Sequence, residues 1–411
     1  MTVRAIAFYL PQYHPVPEND AWWGPGFTEW TNVVRARPLF PGHYQPHLPA
    51  DLGFYDLRVA EVREAQAALA REHGIHGFCY YHYWFNGRRI LQRPFAEVLA
   101  SGKPEFPFCL CWANENWTRA WDGGTKELLL EQHYSDADDR QHIRELIPAL
   151  KDPRYIKIHG RPLLLIYRTE LLPAPERTAS IWRDEARKAG AGELYLARVE
   201  NFKGGIDPAT IGFDAAVEFS PNARNVGQRV FMGPLTKHLS RLGILPKAFA
   251  HHSVFRYSAI AEGKKNQPRP AYKQFRCVTP MWDNTPRRRT DGRILLGSTP
   301  DLYRTWLRTA IAQTQQRLNG DERVVFINAW NEWAEGCHLE PDRKWGHQYL
   351  AATKQALQQA ADAPSAPATD PSRVPVRSAR PARLRHAYWR AVEVCKGMAE
   401  IGRTVLRLPT Q

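Results

Sequence analysis

The sequence lacks any run of about 18 consecutive apolar residues, the length that a membrane-spanning helix requires. The N-terminal segment MTVRAIAFYLPQYHP also lacks an apolar stretch long enough for a signal peptide, and its pattern is that of a β-strand. These absences argue against a spanning helix and a secretory leader. They predict a cytoplasmic protein.

Cysteine is scarce, with six residues scattered through a chain of 411. Cys109 and Cys111 alternate along one predicted strand, but no second pair of cysteines or histidines follows at metal-ligand spacing. A metal pair is possible there but lacks partners, and we expect buried thiols rather than a disulfide framework. We expect no cofactor. The formal net charge is +14, yet zinc-finger spacing, RNP-like segments and helix-turn-helix patterns are all missing, so we expect no nucleic acid partner.

A glycine-rich phosphate-binding turn is also missing after the first predicted strand, where residues 10–14 read LPQYH. Eight runs rich in β-branched or aromatic residues recur, and polar segments with helical periodicity stand between them. The runs are 4–9, 77–84, 108–113, 162–167, 193–199, 215–219, 274–280 and 324–330. This alternation predicts an α/β protein with a (β/α)8 TIM barrel. The alternative, a doubly wound open sheet, would need the missing turn.

Three segments follow from this pattern, the first of which is a catalytic barrel over residues 1–360. Residues 361–381 are rich in Pro, Ala and Ser and predict a flexible linker. Residues 382–408 predict a basic amphipathic helix. That helix either contacts an anionic membrane surface, which would place the protein peripherally at the inner membrane, or packs against the barrel.

The clearest of the connecting helices is predicted over residues 57–73. There Val59, Val62, Ala65, Ala68 and Leu69 form an apolar stripe at helical spacing. We expect this stripe to face the barrel.

The strongest chemical signal is NAWNEWAEG at residues 328–336, directly after the last predicted strand. In a TIM barrel the reaction takes place at the C-terminal ends of the strands. Glu332 and Glu335 converge there if the chain turns, and Gly336 permits a tight turn. Glycosidic cleavage needs such a carboxylate pair, one protonated and one ionised. The alternative is two surface glutamates that flank a packed tryptophan.

The segment W-N-E-W-x-E-G resembles the signature of glycoside hydrolase family 99, the endo-α-1,2-mannosidase and mannanase group. Four further segments resemble the related WbsX group, found in polysaccharide and O-antigen biosynthesis loci: AFYLPQYHP near the N-terminus, the stretch NDAWWGPGFTEW at 19–30, CYYHYW at 79–84 and CWANENWT at 111–118. The resemblance extends from about Val3 to about Leu357.

This resemblance implies that Glu335 is the general acid/base. It implies that Glu332 removes the proton from a sugar 2-hydroxyl and assists departure through a 1,2-anhydro intermediate, with net retention of configuration and no metal. The sequence departs from the hydrolases at Ala334, where they usually carry His.

Polar and aromatic side chains at the other strand ends match the donors, acceptors and stacking faces that sugars require. The predicted sugar contacts are Tyr9, Tyr13, His14, Glu29, Trp30, Tyr81, His82, Trp84, Asn114, Glu115, Trp117, Trp282, Asn331 and Trp333. Trp22 and Trp23 are interpreted as residues that fix the first loop.

Three weaker signals complete the analysis. The D-A-D segment at 136–138 suits a helix start better than a metal site. The long insertion at 222–273 is typical of a lid or partner surface. The run Arg287–Arg289 is either a phosphate contact or, more commonly, a solvated face.

Three hypotheses follow. The first is a retaining glycoside hydrolase or transglycosidase that acts on a bacterial surface polysaccharide or its precursor, an oligosaccharide or glycolipid. The second is a glycosyltransferase of lipopolysaccharide, O-antigen or capsule biosynthesis. The third is a non-catalytic carbohydrate-binding barrel.

Overall fold

Eight parallel strands close into a barrel in the computed structural model, which describes residues 3–119, 127–222, 229–230 and 234–361. The barrel strands are β1 (Arg4–Tyr9), β2 (Ile75–Phe85), β3 (Phe108–Trp112), β4 (Arg161–Ile166), β5 (Tyr195–Glu200), β6 (Ala215–Glu218), β7 (Gln274–Val278) and β8 (Val324–Ile327). Each strand pairs with the next, and β1 pairs with both β2 and β8, which closes the barrel. The predicted (β/α)8 fold is confirmed, because all eight predicted runs are barrel strands.

The strands are almost continuously apolar because both of their faces are covered. In β4, for example, every residue from Pro162 to Ile166 is buried. Inside the barrel, the ring of Phe8 lies 5.7 Å from the ring of Phe219 and 5.4 Å from that of Phe326. These side chains come from three regions of the barrel wall and fill its interior.

The helices lie mainly around the barrel and in the loops at its C-terminal end. They are α1 (Pro17–Trp23), α2 (Glu29–Arg35), α3 (Ala60–Glu72), α4 (Arg93–Ser101), α5 (Asp136–Lys151), α6 (Pro175–Lys188), α7 (Pro234–Arg241), α8 (Ala248–His251), α9 (Tyr257–Lys265), α10 (Pro300–Arg317) and α11 (Gln348–Ala361). At the start of α5, the Ser135 hydroxyl accepts a hydrogen bond from the Asp138 amide at 3.1 Å. The D-A-D segment is therefore a helix start, as predicted.

The apolar stripe predicted for α3 is only partly correct, because Val62 and Leu69 are half-buried against the core but Ala65 and Ala68 are exposed. The buried residues of this helix are Arg63, Gln66, Ala67 and Ala70, whereas Val59 is 44% exposed. The two polar members are buried at low cost because their polar groups are paired: Arg63 forms an ion pair with Glu97 at 2.9 Å, and Gln66 bonds to side chains behind the site. Periodicity alone could not detect a polar buried face.

The insertion after β6 carries α7, α8, α9 and a small sheet in which Ser253–Arg256 pairs in parallel with Arg293–Leu296. Its apolar side chains pack with Phe40 from the first loop into a second, smaller core. This arrangement places the insertion against the segments that follow β1 and β7.

Apart from Ala361, which ends α11, the predicted linker at 361–381 and the predicted basic helix at 382–408 lie outside the described residues. Within the described ranges, none of the helices combines the length and apolar character needed to cross a membrane. Cys79, Cys109, Cys111, Cys277 and Cys337 are buried free thiols, as predicted for these five.

Candidate active site

A cavity of about 640 Å³ opens at the C-terminal ends of the barrel strands. Its wall is rich in aromatic and polar side chains from several loops, which is typical of a site that binds a small polar molecule. Glu332 and Glu335 both line this cavity. The two carboxylates therefore meet at one surface, where the barrel fold predicts the reaction.

A short hairpin after β8 positions the two glutamates. Asn331–Glu332 pairs antiparallel with Cys337–His338, and residues 333–335 form a 3-10 turn. Gly336 completes the turn with a φ of 58°, a conformation that favours glycine. The Asn331 side chain accepts a hydrogen bond from the Leu10 amide at 2.7 Å and donates one to the Leu10 carbonyl at 3.0 Å, which fixes the hairpin to the end of β1.

Arg287 connects three carboxylates at the cavity wall. Its Nε donates to Glu29 Oε2 at 3.0 Å, its Nη2 to Glu332 Oε2 at 2.8 Å, and its Nη1 lies 3.1 Å from Glu335 Oε1. The arginine side chain is 5% exposed. A single buried guanidinium therefore sets the relative positions of Glu332 and Glu335.

This cluster contains more carboxylates than cations, and the pKa values reflect the imbalance. Burial raises the pKa of Glu332; Arg287 opposes the shift, and the charges of Glu335 and Glu29 add to it. Burial also raises the pKa of Glu335, again against the effect of Arg287. Conversely, the three glutamates outweigh desolvation and raise the pKa of Arg287 well above its ordinary value. The glutamate pair thus retains a proton above the ordinary carboxyl range, so one member can act as an acid and the other as a base.

A layer of bonded side chains supports the hairpin from behind. Trp333 Nε1 donates to Glu340 Oε2 at 2.6 Å, and Tyr55 and Gln66 also donate to this carboxylate, at 2.8 and 2.6 Å. Burial raises the pKa of Glu340 to about 7, although these donors oppose the shift. Tyr13 donates to the Asn331 carbonyl at 2.6 Å. These contacts hold the turn from the side opposite the cavity.

Four of the predicted sugar contacts lie at the cavity wall: Glu29, Tyr81, Glu115 and Trp117. Glu115 forms an ion pair with Arg168, which is anchored by a second carboxylate, Glu170, at 2.6 Å.

The remaining predicted contacts do not line the cavity: Tyr9, Tyr13, His14, Trp30, His82, Trp84, Asn114, Trp282, Asn331 and Trp333. They are buried, and most of their polar groups bond within the protein. Tyr9 donates to Gln66, Trp84 donates to Asp138, and Asn114 donates to the Arg168 carbonyl. These residues therefore support the site from within the protein. Polar side chains at strand ends also form hydrogen bonds that hold neighbouring loops together.

Sequence reasoning missed several cavity residues. Trp22 and Trp23, interpreted as loop anchors, line the cavity with Gln12 and Tyr83. Arg287, interpreted within a solvated run, is buried, whereas Arg288 and Arg289 are exposed on the cavity wall. One signal could have found Arg287, namely its place in the loop directly after β7.

Ala334 lies behind the cavity wall. It is fully buried and does not line the cavity. The departure from the hydrolase pattern, which usually has His here, therefore falls in the packed turn.

One buried group has ligand spacing for a metal ion within the described ranges, namely His47, His338 and Asp342. The two imidazoles are 3.0 Å apart, from Nδ1 of His47 to Nε2 of His338, and Asp342 Oδ2 lies 3.8 Å from the latter atom. Burial lowers the pKa of both histidines, which keeps them neutral. These residues do not line the cavity, and the absence of a metal stays a prediction.

Comparison with known proteins places this geometry in a family. The family model described as "Glycosyltransferase WbsX" matches residues 5–353. Two curated relatives, both named uncharacterized protein WxcX, come from two strains of Xanthomonas campestris pv. campestris and are 47% and 46% identical over 357 residues. The matched region covers 87% of this chain and 50% of each relative, so the chain spans about half the length of the curated relatives it matches.

Solved structures with the same barrel include a glycoside hydrolase-like protein and an endo-α-mannosidase of family GH99 from Bacteroides thetaiotaomicron. The first has a TM-score of 0.54 and 12% identity, and covers 87% of this chain and 94% of its own. The second has a TM-score of 0.50 and 15% identity, and covers 88% of this chain and 99% of its own. At this identity the two structures establish the fold. The family match establishes more: the chain belongs to the WbsX family of carbohydrate-active enzymes, as the segments around Trp22 and Glu332 indicated.

Proposed function

We propose that this protein cleaves or transfers glycosidic bonds with retention of configuration, acting on a bacterial cell-surface polysaccharide or its precursor. The observation that carries the proposal is the pair Glu332 and Glu335, which line one cavity and bind the same guanidinium. Glycosidic cleavage requires one carboxyl group that donates a proton and one that accepts a proton or attacks. Two carboxyls with raised pKa values and a shared cation provide that combination near neutral pH.

Glu335 suits the role of general acid/base that its match to family 99 implies. Its side chain is 17% exposed, compared with 7% for Glu332. A general acid that protonates the leaving oxygen regains its proton from the water or acceptor hydroxyl that attacks next, and the more exposed member of the pair can reach that nucleophile.

Glu332 lies deeper and takes the role of base towards the sugar 2-hydroxyl, which leads to a 1,2-anhydro intermediate. Arg287 binds this carboxylate at 2.8 Å and keeps it oriented towards the cavity. The guanidinium opposes the rise that burial causes in the pKa of Glu332. Because the pair shares one proton, Glu332 is ionised when Glu335 carries that proton.

A glycosyltransferase is the second candidate, favoured by the description of the family and by the arginines on the cavity wall. A non-catalytic binding barrel is less well supported, because it would require the glutamate pair to lie out of reach of a bound sugar. Contact of the C-terminal segment with an anionic membrane stays a separate proposal.

The experiment incubates the protein with α-1,2-linked mannoside oligosaccharides and, separately, with nucleotide sugars and an acceptor. Release of reducing sugar that is lost in Glu335→Gln supports the glycosidase. Glu64→Gln is the matched control, because Glu64 is exposed on α3 and does not line the cavity. Turnover with nucleotide sugars alone favours the transferase, and a glycosidase that is unaffected by Glu335→Gln contradicts the assigned site.

A further inference from the structure

The charges on the cavity wall are unevenly distributed. The wall contains six arginines, at positions 35, 37, 119, 287, 288 and 289, and four glutamates, at positions 29, 115, 332 and 335. Three of these glutamates bind Arg287, and Glu115 binds Arg168, which lies outside the wall. The carboxylates of the wall are thus already paired.

Two of the six arginines have carboxylate partners. Arg287 binds its three glutamates, and Arg119 forms an ion pair with Glu127 at 2.8 Å. Among the described residues, Arg35, Arg37, Arg288 and Arg289 have no carboxylate within ion-pair distance, and all four are exposed. Within the described part of the chain, four arginines without a carboxylate partner therefore line one cavity.

The four arginines come from two segments of the cavity wall. Arg35 is at the end of α2, six residues from Glu29 and so about 9 Å along the helix from it. Arg37 follows and donates to the carbonyls of Val34 and Ala36 at 3.0 and 2.8 Å, which orients its guanidinium. Arg288 and Arg289 directly follow Arg287. Each pair of arginines thus adjoins a segment that supplies a member of the Arg287 cluster, Glu29 in one case and Arg287 itself in the other.

Guanidinium groups grouped at a concave surface repel one another, and an anion removes this repulsion. Their planar donors match the oxygens of carboxylate and phosphate groups, to which arginine binds through two parallel hydrogen bonds. A neutral glycan would leave the repulsion uncompensated. The wall is therefore suited to a sugar that carries oxyanions next to the linkage at Glu332 and Glu335.

We propose that the cavity selects an anionic glycan, in which a carboxylate or phosphate group on or next to the reacting sugar binds Arg35, Arg37, Arg288 and Arg289. This inference rests on the proposed function in that the ligand is a sugar. It adds the charge of the substrate, which an acidic polysaccharide or a phosphate-linked precursor would supply.

Isothermal titration calorimetry tests this inference by binding alone. The probes are methyl α-mannopyranoside, the methyl glycoside of a uronic acid and α-mannose 1-phosphate. We expect at least one anionic probe to bind more tightly than the neutral probe, and the preference to shrink from 0.1 M to 1 M salt, because the Debye length falls from about 10 to about 3 Å. Preference for the uronic acid indicates an acidic polysaccharide, and preference for the phosphate indicates a phosphate-linked precursor.

The variants Arg35→Gln/Arg37→Gln and Arg288→Gln/Arg289→Gln should each weaken the anionic probe about tenfold and leave the neutral probe unchanged. Arg308→Gln/Arg343→Gln is the matched control, since both residues are exposed and neither lines the cavity. Equal binding of neutral and anionic probes, no binding of either anion, or an unchanged preference in both variants would overturn the proposal. Because no turnover is measured, failure here is distinct from failure of Glu335→Gln to abolish cleavage.

Discussion

Two buried carboxylate clusters lie at the C-terminal ends of the barrel strands, and they have opposite ratios of carboxylates to cations. At the end of β6, Glu218 binds two cations, Lys264 and Arg276, the latter at 2.7 Å. After β8, Glu332 and Glu335 share the single cation Arg287 with Glu29. Burial raises a carboxyl pKa in both places, but the two cations outweigh it at Glu218, whose pKa is lowered, whereas at Glu332 and Glu335 burial prevails.

The difference separates a structural carboxylate from the pair that we propose to be reactive. The lowered pKa keeps Glu218 ionised at neutral pH, and Glu218 does not line the cavity. The glutamates after β8 retain a proton in the neutral range and face the cavity. Both clusters lie at strand ends, so this position does not identify the site. The ratio of carboxylates to cations and the exposure to the cavity distinguish the two clusters.

The largest expected effect is on catalysis. Glu332→Gln and Glu335→Gln should each lower kcat about 10²- to 10⁴-fold, the usual contribution of a general acid or base. Circular dichroism and thermal unfolding should show intact folding, because an amide keeps the shape of the carboxyl group. Glu218→Gln should have a much smaller effect on kcat. If this variant folds normally but loses as much activity as Glu332→Gln and Glu335→Gln, the distinction between the two clusters is wrong.

Arg287→Met should lower the free energy of unfolding by about 3–5 kcal/mol at pH 8, because it leaves three buried carboxylates without a cation. The folded-state pKa values of Glu332 and Glu335 would rise further above the unfolded value of about 4.3, so the folded protein would bind more protons than the unfolded chain. The destabilisation should therefore shrink as the pH falls towards 5. Urea unfolding at pH 8 and pH 5 measures the free energy of unfolding of this variant, with Arg308→Met as control. An equal loss of stability at both pH values would contradict the role assigned to the buried carboxylates.

Lys264→Met should have a smaller effect, about 1–3 kcal/mol at neutral pH, because Glu218 keeps its ion pair with Arg276. Since the folded-state pKa of Glu218 is lowered, its contribution is present above about pH 4.3 and is lost as the pH falls through the folded value. The loss in Lys264→Met should therefore diminish in acid. The pH dependence of kcat should match that of the unaltered protein; a shifted profile would show that the β6 cluster is coupled to the reaction.

The smallest effect concerns Arg288, which is exposed and lowers the pKa of Glu335 from a distance. Arg288→Gln should move the alkaline limb of the pH profile of kcat slightly upward, because the acid then loses its proton at a higher pH. Raised salt should produce the same shift in the unaltered protein by screening. A downward shift would mean that Arg288 does not act on the glutamate pair by charge.

The fold could be predicted because parallel barrel strands are buried on both faces and appear as short apolar runs. The pair Glu332 and Glu335 could be predicted because a strand, two carboxylates and Gly336 are adjacent in the chain. Arg287 was missed, because its partners are 258 and 45 residues away and its neighbours are two solvated arginines. Only its place in the loop after β7 could have indicated it. Some aromatic residues were assigned to the wrong place: Trp22 lines the cavity, whereas Trp84 is buried away from it. Both are tryptophans in polar, aromatic segments, so only tertiary packing distinguishes them.

Gly336 has a consequence for the ion pairs of Arg287. A Cβ at this position would lie 3.0 Å from the backbone nitrogen of Asp283, and that same nitrogen donates to the Glu335 carbonyl at 2.7 Å. The loop that carries Arg287 and the turn that carries the glutamates are thereby joined at their backbones. A side chain at position 336 would push the two segments apart and draw Arg287 away from the carboxylates it binds. The absence of a side chain at this one position therefore maintains the ion-pair geometry of the whole cluster.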